Sequence, residues 1–183
     1  MRIFKTIFTA AVALTALGTV SWGDGLSATQ KASIEGKIKV LIRWSTDPML
    51  VAAVKEQNAK PRADAKDMTN EKWKSLTIMD PLVRSFGKTP LALNMKAKKE
   101  EFITECFVSA ADGTKVAFFA KTTNWTHAGK DKHKVPMSGK PYIGPLEIDE
   151  STGLQQVQVG LPVLDGGTPI GSIVFGMNAV SLK

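Results

Sequence analysis

The sequence predicts an α+β fold in which helices come first and a five-stranded antiparallel sheet follows. A helical hydrophobic stripe runs through residues 27–60, period-two alternation dominates residues 101–183, and short turns join most of the strands. Helices that precede the strands cannot all be crossover connections of a parallel sheet. We expect one sheet face to pack on the long N-terminal helix and the other to lie under a lysine-rich loop.

Residues 1–23 have the features of a secretory signal peptide. A short basic stretch precedes an uncharged, largely apolar run that ends among small residues. Cleavage is predicted after Gly23, with Gly18 as the alternative site, and an uncleaved membrane anchor is a further alternative. We therefore expect a periplasmic or secreted protein whose mature part, residues 24–183, forms a single domain.

Composition limits the partners and the redox chemistry of the mature domain. Loss of Arg2 and Lys5 with the leader lowers the formal net charge from +7 to +5, so we expect no nucleic-acid partner. A single cysteine, Cys106, excludes an internal disulfide. Because Cys106 lies in an apolar strand pattern, it is predicted to be a buried core thiol.

The helical region, residues 24–60, predicts two helices in succession. Ile34, Ile38 and Leu41 recur at helical spacing, and the Asp-Pro pair at residues 47–48 combines a good N-cap with a proline suited to the first turn. Shorter helical segments are predicted further on: a turn around Trp73, a second Asp-Pro start at Asp80, and a lysine-rich helix over residues 91–101.

The strand region begins with a hairpin across an Ala-Asp-Gly turn at residues 111–113 and continues with a third strand from Tyr142. Residues 154–177 predict a second, buried hairpin. Val157 and Val159 alternate there with polar residues, Pro162 is predicted to close the strand, and a Gly-Gly turn leads into the last strand.

Several motifs in this region resemble one protein family. They are ECFVSAADGTKVAF in the first hairpin, TTNW at the start of the long loop, and the ordered trio DESTG, QVGLPVLDGG and PIGSIVFGMN. With the long N-terminal helix, they make residues 28–182 similar to the extracytoplasmic Cache sensor domains. The resemblance implies a PAS-like sheet that, with a loop facing it, encloses a small ligand, often an amino acid or a carboxylate.

The resemblance also implies a role in signalling. Cache domains usually lie outside the membrane on a chemoreceptor, histidine kinase or cyclase, whereas this sequence shows no second transmembrane segment and no output domain. It therefore resembles a free-standing, exported form of the domain. We expect non-covalent binding of a small anionic or zwitterionic metabolite for signalling or chemotaxis, with a membrane-bound receptor as partner.

The candidate ligand-binding residues lie in and around the basic loop. Between Lys121 and Lys140 there are five lysines and two histidines against one acid, which would suit a carboxylate. A solvated surface loop is the alternative; the flanking aromatic residues could equally anchor the core, the aspartate could cap a turn, and the glutamines could face solvent. The candidates are Lys121, Asn124, Trp125, Lys134, Tyr142, Asp149, Gln156 and Gln158.

The sequence offers no metal, cofactor or catalytic motif. His127 and His133 stand six residues apart without further ligands, and Cys-x-x-Cys-His, the phosphate-loop pattern and Gly-x-Ser-x-Gly are all missing. We expect no cofactor and no enzymatic activity. The alternative function is an interaction module whose long N-terminal helix pairs with itself in a homodimer or with a membrane receptor.

Overall fold

The computed structural model describes residues 22–149 and 153–183, so all of the predicted leader except Trp22 and Gly23 lies outside the described residues. The helices are α1 Ala28–Ser45, α2 Pro48–Ala59, α3 Asn70–Ser75, α4 Pro81–Phe86, α5 Pro90–Ala97 and α6 Asp131–Met137. The strands are β1 Ile103–Ala110, β2 Lys115–Phe118, β3 Tyr142–Ile148, β4 Gln155–Asp165 and β5 Thr168–Asn178.

The five strands form one sheet in the order β2-β1-β5-β4-β3, and every neighbouring pair is antiparallel. The predicted α+β class, with helices first and a five-stranded antiparallel sheet after them, is confirmed. The central strands β5 and β4 are long because they form the predicted C-terminal hairpin across the turn at residues 166–167.

Local signals in the sequence start the helices where predicted. Ser27 and Gln30 form a capping box at the start of α1. The carboxylate of Asp47 accepts hydrogen bonds from the first backbone amides of α2, which begins at Pro48. The α5 helix is shorter than predicted, because the residues that follow Ala97 are charged and offer no apolar side chain to bury before Phe102.

One face of the sheet packs on α1 and α2, as predicted. Ile34, Ile38 and Leu41 of α1 are buried against the core-facing side chains of β4, among them Val157 and Val159. Cys106 belongs to the same cluster and has no exposed surface. Burial raises the pKa of its thiol well above the ordinary value, so it is the core thiol that the sequence predicts.

The prediction that Pro162 ends its strand is wrong, since β4 continues through it to Asp165. The pairing of β3 with β4 ends at Tyr142 and Gly160, whereas β5 accompanies β4 along its whole length. Beyond Gly160, β4 therefore has one edge without a strand partner among the described residues, where a proline is tolerated.

A short segment before α1 adds to the outer edge of the sheet. Trp22 forms a parallel bridge with Ile143 of β3, and the amide of Gly23 donates to the carbonyl of Ile143 at 3.1 Å. The amide of Leu146 donates in turn to the carbonyl of Asp24 at 3.1 Å. Among the described residues, no helix has the length and apolar character needed to cross a membrane.

Candidate binding cleft

The second face of the sheet carries polar side chains and opens into a cleft. Glu105 and Phe107 of β1 and Gln156 and Gln158 of β4 alternate with the core residues and lie on this face. A cleft of about 260 Å³ separates them from the loop that follows β2 and from the start of α6. Its lining residues are Glu105, Phe107, Lys121, Thr122, Thr123, Asn124, His127, Lys132, Glu147, Ile148, Asp149, Gln156 and Gln158.

The loop that forms one lip of the cleft is anchored by aromatic residues. The indole N–H of Trp73 in α3 donates to the carbonyl of Thr122 at 2.7 Å, and both groups are buried. Trp125 inserts beside Trp73 and Phe86, with ring centroids 5.2 and 5.5 Å away. These contacts fix the backbone around Trp125 and so place Lys121 and Asn124 at the cleft.

The helix on the other side of the cleft, α6, is pinned to the sheet by a buried histidine. Nδ1 of His133 lies 2.7 Å from the hydroxyl oxygen of Ser172, and Nε2 lies 3.2 Å from the carbonyl of Ala111. The helix approaches β4 closely at Gly160, where a Cβ would stand only 2.6 Å from the carbonyl oxygen of Lys132. This packing holds the side chain of Lys132 over the cleft.

Gln158 joins a lysine and a carboxylate across the cleft wall. The ammonium group of Lys132 donates to Oε1 of Gln158 at 2.6 Å, and Nε2 of Gln158 donates to Oε2 of Glu105 at 3.0 Å. Burial raises the pKa of Glu105, while the nearby Lys132 opposes that rise. Burial lowers the pKa of Lys132, while Glu105 opposes that fall. Each residue therefore favours the charged form of the other, although the two do not form a direct ion pair.

Gln156, two residues before Gln158 on β4, makes a similar pair of side-chain hydrogen bonds. Its Nε2 donates to Oδ2 of Asp149 at 2.8 Å, and its Oε1 accepts from the hydroxyl of Thr104 at 3.0 Å. The backbone of Asp149 also closes the turn after β3, since its carbonyl accepts from the amide of Gly153 at 2.7 Å. Both glutamines thus have amide groups engaged with the protein, and their direct role is to hold carboxylates at the cleft.

A stacked pair forms the inner wall of the cleft. The rings of Phe107 and His127 lie 4.7 Å apart and nearly parallel. Behind them the amine of Lys115, which has no exposed surface, contacts Nδ1 of His127. Burial and the surrounding lysines lower the pKa of His127 to about 2, so this imidazole is neutral.

The structure brings five of the eight predicted binding residues together at the cleft and places three elsewhere. Lys121, Asn124, Asp149, Gln156 and Gln158 line it. Trp125 is buried in the aromatic cluster with Trp73, the exposed Lys134 pairs with Asp131 at 2.9 Å, and Tyr142 lies half-buried at the start of β3.

Sequence reasoning did not select the other eight lining residues, among them Glu105, His127 and Lys132. The signal for Glu105 was an acidic residue within an otherwise largely apolar strand. No comparable signal marked Lys132 among the lysines of the loop. Within the described ranges, no group of histidine, cysteine, aspartate and glutamate side chains is arranged to hold a metal ion.

Of the comparisons with known proteins, the one with solved structures found similar proteins. No protein-family model matches the sequence, and no curated protein sequence matches it. The similar solved structures include sensor domains. One is the sensor domain of the V. cholerae histidine kinase DctB, with 12% identity over 84% of this chain and 53% of that chain at a TM-score of 0.48.

Two further similar structures are ligand-binding domains of chemoreceptors. The Pseudomonas aeruginosa amino-acid chemoreceptor PctC, in complex with GABA, gives 13% identity, 84% and 58% coverage and a TM-score of 0.47. Campylobacter jejuni Tlp3, in complex with L-norvaline, gives 12% identity, 84% and 55% coverage and a TM-score of 0.40. The chain thus spans somewhat more than half of each. These three proteins are sensor and ligand-binding domains, the class of protein that the sequence resembles.

Proposed function

We propose that this chain is an exported, non-enzymatic sensor domain that binds a small zwitterionic metabolite, such as an amino acid, in the cleft between the sheet and α6. Binding is non-covalent. A membrane-bound signalling receptor is the partner that would read the bound state.

The observation that carries this proposal is the arrangement around Gln158. Lys132 and Glu105 both line the cleft, and the amide of Gln158 separates them, so neither forms a direct ion pair with the other. An ammonium group has three donors and a carboxylate can accept about four hydrogen bonds, so each retains capacity for a ligand group of opposite charge. A molecule that carries both an amine and a carboxylate matches both residues at once.

The charge balance of the cleft favours a zwitterion over a simple anion. Three carboxylates, Glu105, Glu147 and Asp149, line it together with two lysines, Lys121 and Lys132. A carboxylic acid without an amine would add another negative charge beside the half-buried carboxylate of Glu105 and would offer that carboxylate no hydrogen-bond donor. The volume of about 260 Å³ suits a ligand of amino-acid size.

A thermal-shift screen tests the proposal. The purified protein is mixed with amino acids, with the corresponding carboxylic acids that lack the amine, and with the corresponding amines that lack the carboxylate. We expect a set of amino acids to raise the melting temperature and the two partial analogues of each to raise it less. A screen in which no amino acid raises the melting temperature would contradict the proposal.

Matched variants assign the binding to the cleft. Lys132→Met and Glu105→Gln each remove one charge from it, and we expect each to weaken the affinity measured by calorimetry at least about tenfold. Lys134→Met is the control, because Lys134 lies two residues away on the same helix and outside the cleft lining. Equal losses in Lys132→Met and Lys134→Met would place the ligand elsewhere.

The alternative function, an interaction module that acts through its N-terminal helix, lacks a supporting observation of this kind. The apolar stripe of α1, with Ile34, Ile38 and Leu41, is already buried against the sheet. A partner would have to bind the opposite, largely polar face of the helix, where Val40 is 43% exposed.

A further inference from the structure

Lys115 is a fully buried lysine with no acidic partner within ion-pairing distance among the described residues. Its side chain has no exposed surface, and its amine lies 4.5 Å from the ring centroid of Phe107 and 3.4 Å from the hydroxyl of Ser109. The remaining contact of the amine is Nδ1 of His127. A buried amine with so few partners is costly, so its one imidazole partner matters.

The contact with Lys115 determines which nitrogen of His127 faces the cleft. Because the amine occupies Nδ1, the other ring nitrogen, Nε2, points away from Lys115, and it has no hydrogen-bond partner among the described residues. His127 is only 3% exposed yet lines the cleft. The ring therefore connects the buried amine on one side with the cleft on the other.

The backbone of His127 is held as firmly as its ring. The amide of His127 donates to the carbonyl of Gly113 at 3.0 Å, in the turn between β1 and β2. Gly113 has a φ of +81°, and a Cβ there would stand 2.3 Å from the amide nitrogen of Ala128. Only glycine permits this close approach. The imidazole thus has both its position and its plane fixed before any ligand arrives.

We propose that Lys115 is a positioning residue that donates to Nδ1 of His127, holds the imidazole as its Nε2–H tautomer, and so directs a neutral N–H donor at the carboxylate of the ligand. The tautomer of His127 is a property of the protein alone. The hydrogen bond to the carboxylate of a ligand rests on the proposed function.

The surroundings of His127 keep this donor neutral. Burial lowers its pKa most. The cationic or basic groups that face it lower the pKa further; they are Lys115 on β2 and Lys130, Lys132 and His133 at α6. Glu105, an acidic member of the cleft lining, accepts a hydrogen bond from Gln158. Binding through Nε2–H is therefore expected not to change between pH 5 and pH 8 through protonation of His127.

Long-range ¹H–¹⁵N correlation spectra of the ligand-free protein test the role of Lys115. We expect His127 in the wild type to show one tautomer, with the proton on Nε2, and Lys115→Met to show a mixture of tautomers. Lys115→Gln keeps a donor and is expected to restore the Nε2–H form at least in part. A proton on Nδ1 in the wild type, or an unchanged tautomer in Lys115→Met, would overturn the inference.

His133 provides an internal control for the same spectra. Its tautomer is set by Ser172 and by the carbonyl of Ala111, which accepts from Nε2–H, and not by Lys115. We expect its signals to stay in place in Lys115→Met, which shows that the sheet and α6 remain folded. If the signals of both histidines change together, Lys115 has a merely structural role and the inference fails.

Sodium acetate and methylammonium chloride, added at equal ionic strength, test the donor role. Acetate is expected to shift the Nε2 signal of His127 and methylammonium is not. His127→Phe keeps the stacking on Phe107 and is expected to weaken acetate binding about fivefold to tenfold. Equal responses to both salts would overturn the donor assignment. A failed amino-acid screen would remove the proposed function yet leave the tautomer result intact, so the two failures are distinguishable.

Discussion

Gly160→Ala is expected to push α6 away from the sheet. Its Cβ would stand 2.6 Å from the carbonyl oxygen of Lys132 and 3.0 Å from Cγ of Pro136, whereas ordinary contact begins at 3.4 Å. The helix backbone must therefore move by about 0.8 Å, or the strand must bend by a similar amount. Overpacking of this kind costs about 1–3 kcal/mol of the free energy of unfolding.

The displacement also reaches the cleft, because the same turn of α6 carries Lys132. The hydrogen bond of 2.6 Å from Lys132 to Gln158 would lengthen, and the amine and carboxylate of a bound zwitterion could no longer meet both charged residues at their best distances. We expect a melting temperature lower by about 2–4 °C for each kcal/mol lost. Ligand affinity is expected to fall with it.

Differential scanning calorimetry of the ligand-free variant, followed by titration of the amino acid that stabilises the wild type most, measures both effects. Gly36→Ala is the matched control, since Gly36 is exposed on α1 and has no atom within 4 Å of its added Cβ. There the change should raise the free energy of unfolding by up to about 1 kcal/mol. A Gly160→Ala protein as stable as the wild type, with unchanged affinity, would refute the reasoning.

Three further predictions concern other parts of the molecule. Ser45→Ala should raise the unfolding free energy, measured in urea, by about 1 kcal/mol, because the hydroxyl of Ser45 is buried and has no hydrogen-bond partner among the described residues; a loss of stability would contradict this. Both His127 and His133 have lowered pKa values, so below the ordinary value of 6.5 the unfolded chain binds more protons than the folded one. Stability should therefore fall as the pH drops below 6.5, with up to about 1.4 kcal/mol per pH unit coming from His127, and His127→Phe should make the slope shallower; an unchanged slope would refute the reasoning. If the leader is cleaved, intact mass should show a mature chain beginning at Asp24, because Ser21 and Gly23 are the small residues of the predicted cleavage site; a chain beginning at Thr19 would contradict this.

The architecture was predictable because periodicity and helix starts are local properties of the sequence. The Asp-Pro pair at residues 47–48 and the alternation of Val157 and Val159 each require only near neighbours along the chain. Besides the length of α5, the exception was Pro162. Whether a proline interrupts a strand depends on where the neighbouring strand ends, and the end of β3 opposite Gly160 is a property of the assembled sheet.

The cleft was predictable on its strand side and not on its helix side. Alternation places Gln156 and Gln158 on the face opposite the valines, so their positions follow from the pattern of β4. The choice between Lys132 and Lys134 depends on the phase of α6, a helix of seven residues with Pro136 inside it, and its phase is set by the buried contact of His133 with Ser172. Partners 39 residues apart leave no local signal.

The role of Trp125 shows the same limit. The sequence left open whether this residue encloses a ligand or anchors the core, because both roles favour a large aromatic side chain beside a loop. In the structure it packs with Trp73 and Phe86, which come from two short helices far earlier in the chain. Trp125 therefore does not line the cleft. Its packing helps to hold the loop that carries Thr122 and Asn124, which do line it.

A crystal structure of the protein grown with the amino acid that raises its melting temperature most tests the central claim directly. We expect the ligand to lie in the cleft, with its ammonium group within hydrogen-bond distance of Glu105 and its carboxylate near Lys132 and Nε2 of His127. A ligand bound elsewhere, for example in the groove lined by Met49 and Ala53 of α2 and Leu91 of α5, or a cleft that holds only water at saturating ligand, would contradict the account.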